Sequence, residues 1–187
     1  MKNIYLVAFI AIFTLSCNNE KKETEEKEDE IEFVIPELPL EEKIAKTEKE
    51  ASRLRGGGLI KTVELNADSV VITYVKNYSE YKKLNPKSKL SKSDLDSYWN
   101  TGDAIEKALV DGSVRMMKKL DFLNNVEIIL PYKGKTFSIK VTKEKLEWYI
   151  GNKFVMVEVD WNKYFSDPYV YNDEGREKFF KQFGTIK

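Results

Sequence analysis

Glu158 and Asp160 are the two carboxylates whose spacing best suits chemistry. They fall in a run where Val155, Val157 and Val159 alternate with Phe154, Met156, Glu158 and Asp160. A period of two predicts a strand over residues 154–161, with both carboxylates on one face. Two carboxyl groups roughly 5 to 9 Å apart in a cleft can hydrolyse a glycosidic bond, and Trp148 and Trp161 could stack on the sugar rings. The plainer reading makes the acids the wet face of a half-exposed strand and the tryptophans part of the core. A second oxygen-rich group, Asp167, Asn172, Asp173 and Glu174, lacks the Asp-x-Asp-x-Asp-Gly spacing of a calcium loop and reads as a turn and a helix start. A third group is aromatic. Tyr164, Phe165, Tyr169 and Tyr171 lie in the least regular stretch and form a candidate binding patch, because tyrosine joins a large contact area to a polar handle. The competing reading puts these rings in the core.

Much other chemistry lacks its residues. The chain has no histidine and one cysteine, Cys17. That removes the Ser-His-Asp arrangement, the side chain that titrates near neutrality, and the usual zinc, haem and iron–sulfur ligands. No metal site and no cofactor is expected. Gly56-Gly57-Gly58 is not followed by the lysine and hydroxyl residue of a phosphate loop and leads into a strand pattern, so it reads as a flexible joint.

Cys17 is informative through its position. Lys2 precedes an apolar run over residues 4–13, then Thr14-Leu15-Ser16-Cys17. A positive start, a short apolar segment and small residues compose a cleavable export signal. The run is too short for a spanning helix, which needs about 20 residues. The segment resembles the lipobox of bacterial lipoproteins, with threonine where leucine is usual. The resemblance covers residues 1–17 and implies cleavage before Cys17, acylation of that residue, and anchoring on an envelope membrane. With Asn18-Asn19 next, and no aspartate beside the cysteine, it implies the outer membrane. The alternatives are an ordinary secretory signal, with Cys17 left free or removed, and a retained helix.

Residues 18–32 are acidic, lack glycine and aromatics, and read as a disordered tether. Residues 18–50 carry a net charge of −7 and residues 51–187 a net charge of +6, although the whole chain sums to zero. The basic part could meet an anionic partner such as lipid headgroups, a glycan or an acidic protein; equally, it is a lysine-rich solvated surface. Nucleic acid is not expected for an exported chain with only four arginines.

The elements that must hold these groups follow from periodicity. Ile31, Phe33, Val34, Ile35, Leu38 and Leu40, with Pro36 and Pro39, read as an edge strand or strap. A thin helical pattern covers residues 40–54. Residues 59–65 and 69–75 read as a hairpin, followed by helical spacing of Tyr78, Tyr81 and Leu84. Ser91 or Ser93 can cap a helix through Asp94 or Asp96, and Asp103 with Glu106 can cap the next. That helix carries Ile105, Leu109, Gly112, Met116 and Leu120 on one stripe, so Gly112 should permit a close contact. A second hairpin alternates through Val126, Ile128 and Leu130, then Phe137, Ile139 and Val141, with one wet face. Thr142 caps a short helix closed by Gly151, and residues 173–183 form a last helix.

These blocks predict a signal peptide over residues 1–16, a lipidated cysteine and tether over 17–32, and one α+β domain over 33–187 with an antiparallel sheet packed by helices. The expected function is a non-enzymatic binding or accessory module on the envelope. The alternatives are a carboxylate-dependent glycan hydrolase and a small-molecule or lipid carrier.

Overall fold

The computed structural model describes residues 37–187 apart from Gly102. The signal peptide, Cys17, the tether and the strap up to Pro36 lie outside the described residues. The rest is a single α+β domain with a five-stranded mixed sheet.

Helix α1 (Leu40–Ala51) is followed by a short 3₁₀ turn (Gly57–Leu59) and the hairpin β1 (Ile60–Asn66) and β2 (Ser69–Tyr74). Ala67 takes a left-handed backbone at φ 51° in the two-residue turn. Three helices come next: α2 (Tyr78–Leu84), α3 (Lys92–Trp99) and α4 (Ala104–Lys119). Asn77 caps α2, and Ser91 with Asp94 forms the capping box of α3. The second hairpin is β3 (Asn125–Tyr132) and β4 (Lys135–Thr142). Its turn is Lys133-Gly134, both at positive φ as a tight right-twisted hairpin requires.

The strands run in the order β1-β2-β3-β4-β5, where β5 is Gly184–Ile186. The α+β class stands, but the sheet is not wholly antiparallel, because β2 and β3 pair parallel. A connection containing three helices separates the two hairpins, so β3 can enter beside β2 in the same direction. Asp68 fixes that junction. Its carbonyl accepts from the backbone N–H groups of Asn124 and Asn125, and its carboxylate accepts from the Asn124 amide at 3.0 Å.

Val70, Ile72, Tyr74, Val126, Ile128, Leu130, Ile139 and Val141 bury one face of the sheet. The other face carries Val71, Thr73, Glu127, Ile129 and Ser138, all half-buried, with a Glu127–Lys140 ion pair, and is the wet side. Helix α4 lies against β3 and β4. The stripe through Ile105, Leu109, Gly112, Met116 and Leu120 is buried as expected. A Cβ on Gly112 would stand 3.0 Å from the Ile128 Cδ1 and 3.5 Å from the Leu54 Cδ1, which accounts for the glycine. The burial extends around the helix to Val110, Asp111, Ser113, Val114 and Met117.

The last part of the chain departs most from expectation. After α5 (Lys143–Ile150), capped by Thr142, residues 154–161 are not a strand. They form α6 (Phe154–Val159), followed by a ten-residue π-helix (Asn162–Tyr171) and α7 (Asp173–Phe183). The Glu147 carboxylate accepts from the Phe154 N–H at 2.8 Å and so caps the start of α6. Phe154 and Val157, three apart, are buried, whereas Val155 and Val159 stand in solvent. Both periodicities are present in the sequence; the cap and the packing of the helical one decide between them. The fifth strand is the C-terminal segment on β4.

Candidate anion-binding site

The sequence-picked groups are dispersed by this fold. Glu158 is exposed on α6, where its backbone carbonyl accepts from the Lys118 ammonium at 2.7 Å. Asp160 is the C-terminal cap of α6 and accepts from the Lys163 N–H at 3.1 Å. They do not share a strand face, so the geometry behind a carboxylate pair is gone. Trp148 is 78 % exposed on α5, and one face of Trp161 carries the Arg115 guanidinium, 4.8 Å from the ring centre. The oxygen-rich residues near the C-terminus have internal duties: Asn172 caps α7, Asp173 binds Arg176 and Glu174 pairs with Lys178. Among the described residues no group of three or more acidic, histidine or cysteine side chains could hold a metal ion.

The aromatic patch also divides. Phe165 is fully buried and meets Trp161, Tyr169 and Phe179 at ring-centre separations of 5.0, 5.8 and 5.5 Å. Tyr169 is half-buried in the same cluster with Tyr149, and burial pushes its phenol above the ordinary value. Tyr164 is half-buried under the Lys163 ammonium. Only Tyr171 faces solvent, at 61 % exposure.

Tyr171 leads to a site that the sequence reading missed. Its hydroxyl accepts from the Arg55 Nη2 at 2.9 Å. The Arg55 Nε lies 3.9 Å from the Asp111 Oδ2. Arg115, one turn along α4, grips the same carboxylate with two bonds, Nε to Oδ2 at 3.0 Å and Nη2 to Oδ1 at 2.6 Å. Asp111 is only 3 % exposed, whereas the two arginine side chains are 37 % and 36 % exposed. The buried Asp111 carboxylate thus hydrogen-bonds Arg115 and only attracts Arg55, whose buried Nε has no hydrogen-bond partner among the described residues; the two partly exposed guanidiniums and the one carboxylate sum to a net charge of +1. The Asp111 hydrogen bonds raise the Arg115 pKa further and keep it cationic.

Each partner is placed by local structure. Gly56 adopts φ +67°, and a Cβ there would meet the Trp99 ring at 2.6 Å. A Cβ on Gly57 would meet the Ser52 carbonyl oxygen at 2.2 Å. The glycine run is thus a tight turn that aims Arg55 at α4, not a flexible joint. The buried Tyr74 hydroxyl donates to the Arg55 carbonyl at 2.7 Å, and burial, the main cause, pushes that phenol far above its ordinary value, so it stays a neutral donor. Trp161 immediately precedes the π-helix and Tyr171 ends it, so that element sets both rings. Long π-helices are rare, and π geometry recurs at functional sites. Its junction with α7 is tight: a Cβ on Gly175 would stand 1.9 Å from the Pro168 carbonyl oxygen.

A second ionic centre sits at the start of α4. Asp103 was expected to cap α4, but it has φ 56° and makes no cap bond. Its carboxylate instead accepts from the Arg176 Nη2 at 2.5 Å. Arg176 is 2 % exposed, also donates to Asp173 at 2.8 Å and the Val170 carbonyl at 2.8 Å, and lies 3.8 Å from Glu106.

The Arg55–Asp111–Arg115–Tyr171 group offers planar N–H donors, a phenol and positive charge, the chemistry that recognises an oxyanion. One signal in the sequence pointed to it: an aspartate with an arginine four residues on, inside the otherwise apolar run of α4. Comparison of the chain with protein-family models, curated proteins and solved structures finds no match.

Proposed function

We propose that this protein is an envelope-anchored, non-enzymatic binding module that docks an anionic group of its partner on Arg55, Arg115 and Tyr171. One observation carries the reading: a buried carboxylate that hydrogen-bonds one guanidinium and attracts a second, both of them partly exposed. Burying Asp111 is costly, and an apolar residue would pack more cheaply. The cost is understandable if the pair must be held in one geometry for a planar oxyanion such as a carboxylate. The export signal and the lipobox-like segment ending at Cys17 support the envelope location. Among the described residues no helix is long and apolar enough to cross a membrane.

The test compares crosslinked pull-downs from native membranes using the wild-type chain and the R55K/R115K variant. Lysine keeps the charge but loses the bidentate fork. A stoichiometric partner captured by the wild type and lost by a variant with the same melting temperature is the expected result. Equal capture by both would make the centre a structural clamp only. Cys17→Ala should release the processed protein from membranes; a cleaved, still membrane-bound variant would refute the lipid anchor.

A further inference from the structure

The lysines are not evenly spread. Residues 76–92 contain six of them, Lys76, Lys82, Lys83, Lys87, Lys89 and Lys92, against one acid, Glu80. That acid is already committed: its carboxylate accepts from the Lys76 N–H at 2.6 Å and pairs with Lys61 at 3.1 Å. These bonds hold its pKa below the ordinary value.

The segment is α2 and the loop that follows it, and the loop is tied down from inside. Lys82 donates to the carbonyls of Pro86 and Ser88 at 3.1 and 2.9 Å. The Tyr81 and Ser88 hydroxyls meet at 2.6 Å, and Tyr78 donates to the Leu90 carbonyl at 3.2 Å. With the loop backbone held inward, α2 presents Lys83 and the loop presents Lys87 and Lys89 to solvent, beside Lys76 and Lys92. Among the described residues none of these five ammonium groups has an ion-pair partner. Leu84 stands among them at 51 % exposure. Lys133 and Lys135, at the tip of the second hairpin, line a groove of about 540 Å³ shared with Lys76 and Lys92.

The acids beside them, Glu80 and Asp96, are too few to balance the lysines, and like charges gathered on an ordered surface repel, so most of their counter-charge lies outside the domain. Their chemistry indicates where it lies. Lysine is a hydrated point charge on a flexible stem, suited to a diffuse field of phosphates more than to one planar group. An exposed leucine ringed by lysines adds an apolar foot. We propose that the face formed by α2 and residues 85–92 rests on an anionic bilayer surface. This face is separate from the guanidinium centre, and the inference depends neither on that site nor on acylation of Cys17.

Co-sedimentation tests it, using the full chain carrying Cys17→Ala and vesicles of phosphatidylcholine with or without phosphatidylglycerol. The apolar leader contributes to binding of both vesicle types, so the difference between them reports the basic face. The expected result is a preference for the anionic vesicles that fades with salt and falls by about a hundredfold in the K83E/K87E/K89E variant. Leu84→Ser should weaken it several-fold without changing the salt slope. Equal binding to both vesicle types, or a preference that survives the triple variant, overturns the proposal. Capture of soluble polyglutamate without any vesicle preference would assign the face to an acidic protein segment and overturn it as well.

Discussion

Two ionic centres are built on α4, and they are inverses of each other. At its start, the cation is inside: Arg176 is 2 % exposed, while Asp103 and Asp173 stand 54 % and 83 % exposed. Half a helix later the anion is inside: Asp111 is buried and its arginines are partly in water. The inner partner of each is fixed by packing, and the outer partners show what remains for another molecule. Arg176 spends its donors on Val170, Asp103 and Asp173, stitching α7 and the end of the π-helix to α4. Asp111 spends its oxygens on orienting donors that still have edges to offer. The first arrangement reads as a clamp and the second as a receptor.

The largest effect should come from removing the buried cation. Arg176→Ala leaves a cavity and an unpaired Val170 carbonyl, and should cost about 4 kcal/mol in urea unfolding. A loss below about 1 kcal/mol would mean that Arg176 is held no more firmly than an exposed arginine, and the contrast would collapse. Gly112→Leu probes the wall between the centres. Forcing a side chain toward Ile128 and Leu54 should cost about 3 kcal/mol by overpacking, read as a lower melting temperature. An unchanged melting temperature would show that α4 has room there.

Asp111→Asn keeps the shape but removes the charge that organises Arg55 and Arg115. It should cost about 2 kcal/mol, less than Arg176→Ala because the freed guanidiniums can turn to water. Partner capture should fall in the same variant. Stability lost with capture intact would show that the pair need not be pre-oriented.

The smallest effect is a pH dependence. Burial, reinforced by Asp103 and opposed by Arg176, raises the Glu106 carboxyl above its ordinary 4.5. The folded protein then keeps a proton that the unfolded chain has released. This group's contribution is therefore full below pH 4.5 and is lost as pH rises through the higher folded value. Glu106→Gln should flatten that part of the stability–pH curve. If the slope persists, it arises elsewhere.

Local rules carried much of the fold. The hairpins, the caps at Ser91 and Thr142, the close approach at Gly112 and the last helix were legible, because each depends on neighbours in sequence or on one repeated period. The site was not. Tyr171 is one of the four aromatic candidates, but Arg55, the Asp111–Arg115 pair and Tyr171 come from three distant segments, and the one local trace of the ionic group is the Asp111–Arg115 spacing. Asp103 shows the same limit: its position suits a cap, yet Arg176, 73 residues away, takes its carboxylate.

Taken alone, the sequence determined the absence of histidine, a single cysteine behind a short apolar run, the acidic segment before a basic domain, and the alternation that makes two hairpins. Only the tertiary structure decided that residues 154–171 become an α-helix and a π-helix, that the hairpins meet in parallel, and which rings face water. The reason is energetic. A short apolar run satisfies a strand or a helix about equally, and the difference is supplied by contacts that exist only once the chain has folded.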